Sequence, residues 1–178
     1  TKTDSEVILH GYEEYGKKVL DRLRGMFAFI IWNKQTKELF GARDIFGIKP
    51  FYYYKKDGEF LFGSEIKSFL SHPKFEKELD EDMIPLYLSY EYIPDERTIF
   101  KNVCKLPGAH CFTYKDGKLE VERYYHIRYN IEEDKSLEYW EDAITKEFSE
   151  SVAMHQISDV EVGCFLSSGV DSSYVVKE

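Results

Sequence analysis

The sequence predicts an α+β domain followed by the first part of an α/β domain, and three observations favour this order. Short apolar runs separated by polar turns dominate the chain up to residue 129. A long helical pattern comes next and leads into an apolar run that ends in small, hydroxylated residues. Of the 178 residues, 43% are hydrophobic, so the chain can bury a core of ordinary size. We therefore expect antiparallel hairpins with helices first and a parallel-sheet unit afterwards.

The first element is a predicted helix from Ser5 to about Arg24, in which apolar residues recur at helical spacing. Asp4 or Ser5 can cap its start, and Gly25 can end it. Gly16 interrupts the pattern and allows a break between two shorter helices.

The next residues have the patterns of strands and hairpins. Met26–Trp32 is a continuous apolar run, typical of a strand covered on both faces, and Glu38–Ala42 forms a second strand after a polar turn. Two Asp-Gly pairs predict hairpins, Asp57-Gly58 between strands 51–55 and 60–62 and Asp116-Gly117 between strands 111–114 and 119–124. Short helices are predicted over 65–70 and 81–91, the second with Pro85 in its first turn or at a kink.

A polar, acidic bridge from Asn130 to Lys135 is the best candidate for a domain boundary. It predicts a first domain over residues 1–129, a linker over 130–135 and a second domain over 136–178. The second domain opens with an amphipathic helix from Ser136 to about His155 and continues as a strand from Val160 to Leu166. Cys164 lies in this apolar strand, where we expect a buried, reduced thiol.

Composition argues against several classes of function. The net charge of −9 and the pI near 5.1 disfavour a nucleic-acid partner, which would require a basic surface. Charged residues interrupt every hydrophobic run, so no membrane span is predicted, and no export signal precedes the first helix. Cys104, Cys111 and Cys164 are too few and too irregular for a disulfide framework or a zinc site. We expect a cytoplasmic protein whose oligomeric state stays open, a homodimer included.

The most informative stretch is the loop that follows the predicted strand of the second domain. Its candidate ligand-binding residues are Phe165, Leu166, Ser167, Ser168, Gly169, Val170, Asp171, Ser172 and Ser173. Serine hydroxyls and free N–H groups at a helix start complement a phosphate, and Asp171 can help to hold Mg²⁺ among phosphates. The alternative is a plain strand-to-helix turn in which Asp171 and Ser172 only cap the helix. The residue types alone leave both interpretations open.

Ser-Ser-Gly-Val-Asp-Ser-Ser at 167–173 resembles the PP-loop of the ATP pyrophosphatases, whose pattern is Ser-Gly-Gly-X-Asp-Ser. Enzymes of this family adenylate a carbonyl oxygen and release pyrophosphate, so the resemblance implies ATP and Mg²⁺ as ligands of this loop. The chain departs from the pattern at Ser168, where the family usually has glycine. If that position needs a positive φ, serine is strained there; otherwise its hydroxyl adds a phosphate contact.

Four further motifs occur in order and resemble the second half of a class II glutamine amidotransferase domain, which is an Ntn-type αββα sandwich. They are Asp4–Val7, Leu23–Phe29, Ala42–Tyr52 and Ser64–Lys67. Such a domain followed by a PP-loop is similar to the glutamine-hydrolysing asparagine synthetases. One departure is Leu-Pro-Gly-Ala-His at 106–110, where the family more often has Leu-Pro-Pro-Gly-His, and we expect it to alter a turn and no chemistry.

The resemblance implies that Asp4 binds the α-ammonium group of substrate glutamine, whereas its alternative role is only to cap a helix. Arg43-Asp44 could be catalytic, but a structural role as a loop anchor is preferred, and Lys49-Pro50 is expected to fix the shape of the same loop and not to contact a substrate. In this family an N-terminal cysteine attacks glutamine, and none of the three cysteines matches it, so no catalytic residue is assigned. Thr1 corresponds to an interior position of the family's domain. We therefore expect a junction segment of a longer enzyme, inactive by itself.

For the intact enzyme, the resemblance implies that glutamine supplies ammonia through an internal passage. Aspartate and MgATP would form a β-aspartyl-AMP intermediate, which ammonia converts to asparagine with release of AMP and pyrophosphate. Two alternatives stay open. The same pair of domains could adenylate a different carboxylate, whose selectivity residues would lie beyond Glu178. The chain could instead be a non-catalytic interaction domain whose loop merely caps a helix.

Overall fold

The computed structural model describes residues 3–178 and divides them into two compact units, one ending at Ile127 and the other beginning at Arg128. The division falls just before the predicted boundary at residue 129. None of the helices over residues 3–178 is both long and apolar enough to cross a bilayer.

The first unit opens with helix α1 (Asp4–Tyr15), which passes at Gly16 into a 3-10 helix (Gly16–Asp21). Gly16 has a φ of 57°, a left-handed conformation that ends an α-helix and favours glycine. The break expected at this glycine is confirmed. The N-cap is Thr3, so the predicted cap at Asp4 or Ser5 is wrong by one or two positions.

Seven strands among residues 3–178 form two antiparallel sheets, ordered β1-β2-β6-β7 and β4-β3-β5. The strands are β1 (Ala28–Asn33), β2 (Glu38–Arg43), β3 (Tyr52–Lys56), β4 (Glu59–Gly63), β5 (Val103–Lys105), β6 (His110–Lys115) and β7 (Lys118–Arg123). Strand β5 escapes prediction because three residues are too few to show a period. A second 3-10 helix (Ile66–Phe69) and helix α2 (Met83–Tyr90) follow β4, with Pro85 in the first turn of α2.

Both predicted Asp-Gly hairpins are present. Asp57 and Gly58 have φ values of 48° and 82°, and Asp116 and Gly117 have values of 49° and 77°. Two successive positive φ angles define the type I′ turn, whose twist matches that of the strands it joins. The turns therefore fix the registers Lys56↔Glu59 and Lys115↔Lys118.

Three hydrophobic clusters form the core of the first unit. The cluster between the N-terminal helical layer and the first sheet contains Val19, Leu20, Phe40, Ala42 and Cys111. The cluster between the sheets contains Phe51, Tyr53, Leu106 and Phe112, and the one on the outer face of the second sheet contains Tyr54, Phe69 and Val103. Strand β1 contributes to the first two clusters with alternate residues, so its predicted coverage on both faces is confirmed. This part has the expected α+β architecture.

The second unit consists of helix α3 (Leu137–His155) and helix α4 (Val170–Lys177). The Ser136 hydroxyl caps α3 by accepting the N–H of Tyr139 at 3.1 Å, and the rings of Phe148 and Tyr174 pack with centroids 4.8 Å apart.

The predicted strand Val160–Leu166 is wrong, because these residues have no secondary structure and are all exposed. A strand requires a hydrogen-bonded neighbour, and no described residue pairs with this segment. The expected parallel sheet is therefore not seen. Cys164 is exposed, so its predicted burial is also wrong.

Candidate functional site

Asp44 organises the loop between β2 and β3. Only 1% of Asp44 is exposed, and its carboxylate accepts the backbone N–H groups of Phe46 at 3.2 Å, Ile48 at 2.9 Å and Lys49 at 3.0 Å. A buried carboxylate needs such donors, because it has lost its hydration. The loop thus closes around the acid.

Arg43 ties the same loop to its surroundings. Its guanidinium donates to the carbonyl oxygens of Lys49, Gly47 and Leu106, each at 2.6 Å. The Tyr124 hydroxyl donates to the Arg43 carbonyl oxygen at 2.8 Å, and burial together with the charge of Asp44 raises the pKa of Tyr124. The structural role expected for Arg43-Asp44 is confirmed by these contacts.

Asp4 lies at the rim of a cleft of about 250 Å³ in the first unit. The cleft is formed by the start of α1, residues 26–29, Lys49-Pro50 and Ser64. Asp4 is exposed, and its Oδ1 accepts the N–H of Ser5 at 2.8 Å. The cleft therefore combines apolar side chains from residues 26–29 with the Asp4 carboxylate, which suits a small ligand that carries an ammonium group.

Sequence reasoning missed that Lys49-Pro50 and Ser64 line this cleft with Asp4. It assigned Lys49-Pro50 to the shape of the loop, which is correct for the Lys49 backbone, since this backbone contacts both Arg43 and Asp44. The available signal was the ordered series of motifs, which contains all of these residues. Their proximity depends on strand pairing between distant segments, and no spacing in the sequence reports that.

In the second unit, the serine loop folds around the start of α4. The hydroxyls of Ser167 and Ser172 are 2.8 Å apart, and the Ser172 and Ser173 hydroxyls donate to the Gly169 carbonyl oxygen at 3.1 and 2.9 Å. The Gly169 N–H in turn donates to Ser167 Oγ at 3.3 Å. The structure therefore brings four of the nine predicted residues into one hydrogen-bonded network.

The other five predicted residues lie outside this network. Phe165, Leu166, Ser168, Val170 and Asp171 are exposed, the last two in the first turn of α4. Ser168 does not have a positive φ, so a serine side chain causes no backbone strain at this position. Its hydroxyl is available for a further contact.

The donor set of the serine loop fits a phosphate group. It offers serine hydroxyls beside the N–H groups of the first turn of α4, which have no partner within the helix. A Cβ atom on residue 169 would lie 3.3 Å from Ser167 Oγ, so glycine keeps this space open. Among residues 3–178, no three His, Cys, Asp or Glu side chains are grouped to hold a metal. The exposed carboxylate of Asp171 and the oxygens of a phosphate belong to the class of oxygen ligands that Mg²⁺ prefers.

No cysteine is placed as a nucleophile among the described residues. Cys111 is buried in β6, where burial and the nearby Glu122 raise the pKa of its thiol to about 12. Burial also raises the pKa of Cys104. Both thiols are therefore protonated at neutral pH, which makes them poor nucleophiles. Thr1 lies outside the described residues.

Comparisons with known proteins match both parts of the chain. The family model of the glutamine amidotransferase domain matches residues 1–125, and that of asparagine synthase matches residues 143–177. Asparagine synthetase [glutamine-hydrolyzing] 1 of Bacillus subtilis is 40% identical over 99% of this chain and 28% of its own length. Asparagine synthetase [glutamine-hydrolyzing] 3 of the same species is 36% identical over 97% of this chain and 28% of its own length. Putative asparagine synthetase [glutamine-hydrolyzing] 2 of Methanocaldococcus jannaschii is 36% identical over 99% of this chain and 35% of its own length. The chain thus spans about a third or less of the length of these relatives.

Proposed function

The chain belongs to the glutamine amidotransferase domain family, and we propose that it forms the junction between the two catalytic domains of a glutamine-hydrolysing asparagine synthetase. One observation carries this proposal. An amidotransferase match is followed in the same chain by an asparagine synthase match, and each contains the candidate site that its chemistry needs. These sites are the Asp4 cleft in the first match and the serine loop in the second.

In the amidotransferase part, Asp4 would hold the α-ammonium group of glutamine through charge-assisted hydrogen bonds. The Arg43-Asp44 contacts keep the loop that carries Lys49-Pro50 in place where it lines the cleft. No residue of this chain is assigned as the nucleophile. We therefore expect these residues by themselves to be inactive in glutamine hydrolysis. We expect them to be inactive in asparagine formation as well, because they span only 28% of the length of the Bacillus subtilis relatives.

In the second part, the serine loop would bind the pyrophosphate portion of ATP. The Ser168 hydroxyl and the N–H groups at the start of α4 would donate to phosphate oxygens. The hydroxyls of Ser167 and Ser172 would do so by exchanging their present partners for the phosphate. Backbone groups of Phe165 and Leu166 would contact the nucleotide. Asp171 would hold Mg²⁺, which neutralises phosphate charge and so stabilises the pyrophosphate that leaves when aspartate is adenylated.

The proposal is tested by product analysis on a longer protein, in which this chain is extended to the full length of the relatives. With glutamine, aspartate and MgATP, we expect asparagine, glutamate, AMP and pyrophosphate in equal amounts. Ammonia should replace glutamine in forming asparagine, because the two half-reactions use different sites. Pyrophosphate release that depends on another acid, and never on aspartate, would exclude asparagine synthesis. A protein whose melting temperature MgATP leaves unchanged would be better described as an interaction domain.

A further inference from the structure

A cavity of about 420 Å³ lies on the outer face of the second sheet and shares no lining residue with the Asp4 cleft. Three tyrosines form much of its wall, namely Tyr52 of β3, Tyr87 of α2 and Tyr92 in the loop after α2. The rest of the lining consists of two charged residues, of which Arg97 is paired with Asp80, one threonine and three isoleucines: Lys105 of β5, Arg97, Thr98, Ile66, Ile93 and Ile99. Its volume lies in the range of small-molecule sites, and its apolar walls with few polar groups are typical of them.

Hydrogen bonds hold the segment that follows α2 in place. The buried Thr98 hydroxyl donates to the Val103 carbonyl oxygen at 2.9 Å and accepts the N–H of Phe100 at 3.1 Å. Arg97 pairs with Asp80 at 2.6 Å. These contacts hold the part of the wall that Arg97 and Thr98 form, so binding requires little ordering of that part.

Lys105 lines this cavity, and no carboxylate among the described residues lies within ion-pair distance of its ammonium group. It is half-buried, and its ammonium group donates to the carbonyl oxygen of Ile93. None of the ion pairs among residues 3–178 includes Lys105. Burial, and then the charge of Arg43, lower the pKa of Lys105, whereas Asp95 acts in the opposite direction. A half-buried ammonium group of this kind gains free energy when an anion joins it.

We propose that this cavity binds a flat aromatic carboxylate, with its ring among the three tyrosines and its carboxylate paired with Lys105. Tyrosine rings contact a flat aromatic ligand in stacked or edge-to-face arrangements, while isoleucine fills the remaining apolar wall. The ammonium group supplies the charge that selects an acid over a neutral compound of the same shape.

The test measures the affinity of the 178-residue chain for two probes by isothermal titration calorimetry. The probes are 2-naphthoate and the neutral 2-naphthylmethanol, which share a ring system but differ in charge. We expect the chain to prefer 2-naphthoate by about tenfold, as one charge-assisted hydrogen bond provides. Lys105→Met should remove this preference by weakening only 2-naphthoate. The matched control is Lys55→Met, which changes an exposed lysine of β3 outside the cavity and should leave both affinities unchanged.

Two further results decide the location and the cause of binding. Tyr87→Ala should weaken both probes, and the amide resonances that shift on binding should include those of residues 52, 87, 92 and 105. The proposal is overturned if 2-naphthoate does not bind, or if Lys105→Met and Lys55→Met bind it equally well. It is also overturned if Lys105→Met weakens both probes to the same extent, because the effect would then be structural. If the Lys105→Met protein binds 2-naphthylmethanol with unchanged affinity, its cavity is intact.

Discussion

Asp44 illustrates how one side chain can fix a loop without taking part in chemistry, since its carboxylate is occupied by three backbone N–H groups. Asp44→Asn would turn an amide N–H₂ toward at least one of these donors and remove the charge. We expect a loss of about 2–4 kcal/mol in the free energy of unfolding, measured by urea denaturation. Asp57→Asn is the matched control, because asparagine tolerates the left-handed turn position that Asp57 occupies. Equal stability of the two variants would contradict this role.

Gly108 and Ala109 lie where the chain departs from the Leu-Pro-Pro-Gly-His pattern of the family, and their backbone geometry explains these two residues. A Cβ atom on residue 108 would lie 2.8 Å from the Gly47 backbone nitrogen, whereas Ala109 already has a φ of 60°. Gly108→Ala should therefore lower stability by about 2 kcal/mol or more through overpacking. Ala109→Gly should change it by less than about 1 kcal/mol, because relief of the left-handed strain offsets the loss of a buried methyl group. Thermal unfolding compares the stabilities of the two variants. A larger loss of stability for Ala109→Gly than for Gly108→Ala would contradict this explanation of the turn.

At the residue scale, the sequence predicts local roles better than long-range ones. The structural role of Arg43-Asp44 could be predicted, because a charged pair at a strand exit commonly anchors the loop that follows. The meeting of Asp4 with Lys49-Pro50 and Ser64 could not, because it depends on how separate segments pack. The same holds for Lys105, because only the structure shows that it takes part in none of the ion pairs among residues 3–178.

Elements with their own local signals were predicted well. Each Asp-Gly hairpin is specified by two residues that accept positive φ, and the break at Gly16 has the same basis. The run from Val160 to Leu166 carried a strand signal of a different kind, since its apolar residues only indicate a need for burial. Instead of pairing in a sheet, Val160, Val162 and Cys164 line an apolar groove of about 670 Å³ within the second unit.

The three thiols report the different environments of these elements. Cys164 is exposed, whereas Cys111 is buried in β6 and Cys104 is half-buried in β5, with the pKa of each of the latter two raised by burial. A disulfide reagent such as DTNB at pH 8 should therefore titrate one thiol rapidly in the native chain and all three in denaturant. Cys164→Ser should abolish the rapid phase. Rapid reaction of two or more thiols in the native chain would show that the β5–β6 region is open.

At the scale of the whole molecule, the two units differ in how much they bury. All three hydrophobic clusters lie in the first unit, whereas no residue from 128 to 178 is buried. Brief trypsin treatment should therefore cut first at Arg128 or Lys135, in the exposed segment before α3, and leave a resistant product that ends near residue 128. Mass spectrometry of the digest identifies the first cuts. First cleavage inside the sheets would contradict this division of stability.

The central claim is that a phosphate-binding loop follows an amidotransferase domain in one chain, and substitution of Asp171 tests it most directly. The assay uses a longer protein, in which this chain is extended to the full length of the relatives. It measures AMP formation from aspartate and MgATP, with ammonia as the nitrogen donor. Asp171→Ala should lower the rate of AMP formation by at least about tenfold, because the proposed contact of Asp171 with phosphate-bound Mg²⁺ would be lost. Asp134→Ala, which changes an exposed acid before α3, should leave that rate unchanged. Undiminished AMP formation in the Asp171→Ala protein would contradict the claim.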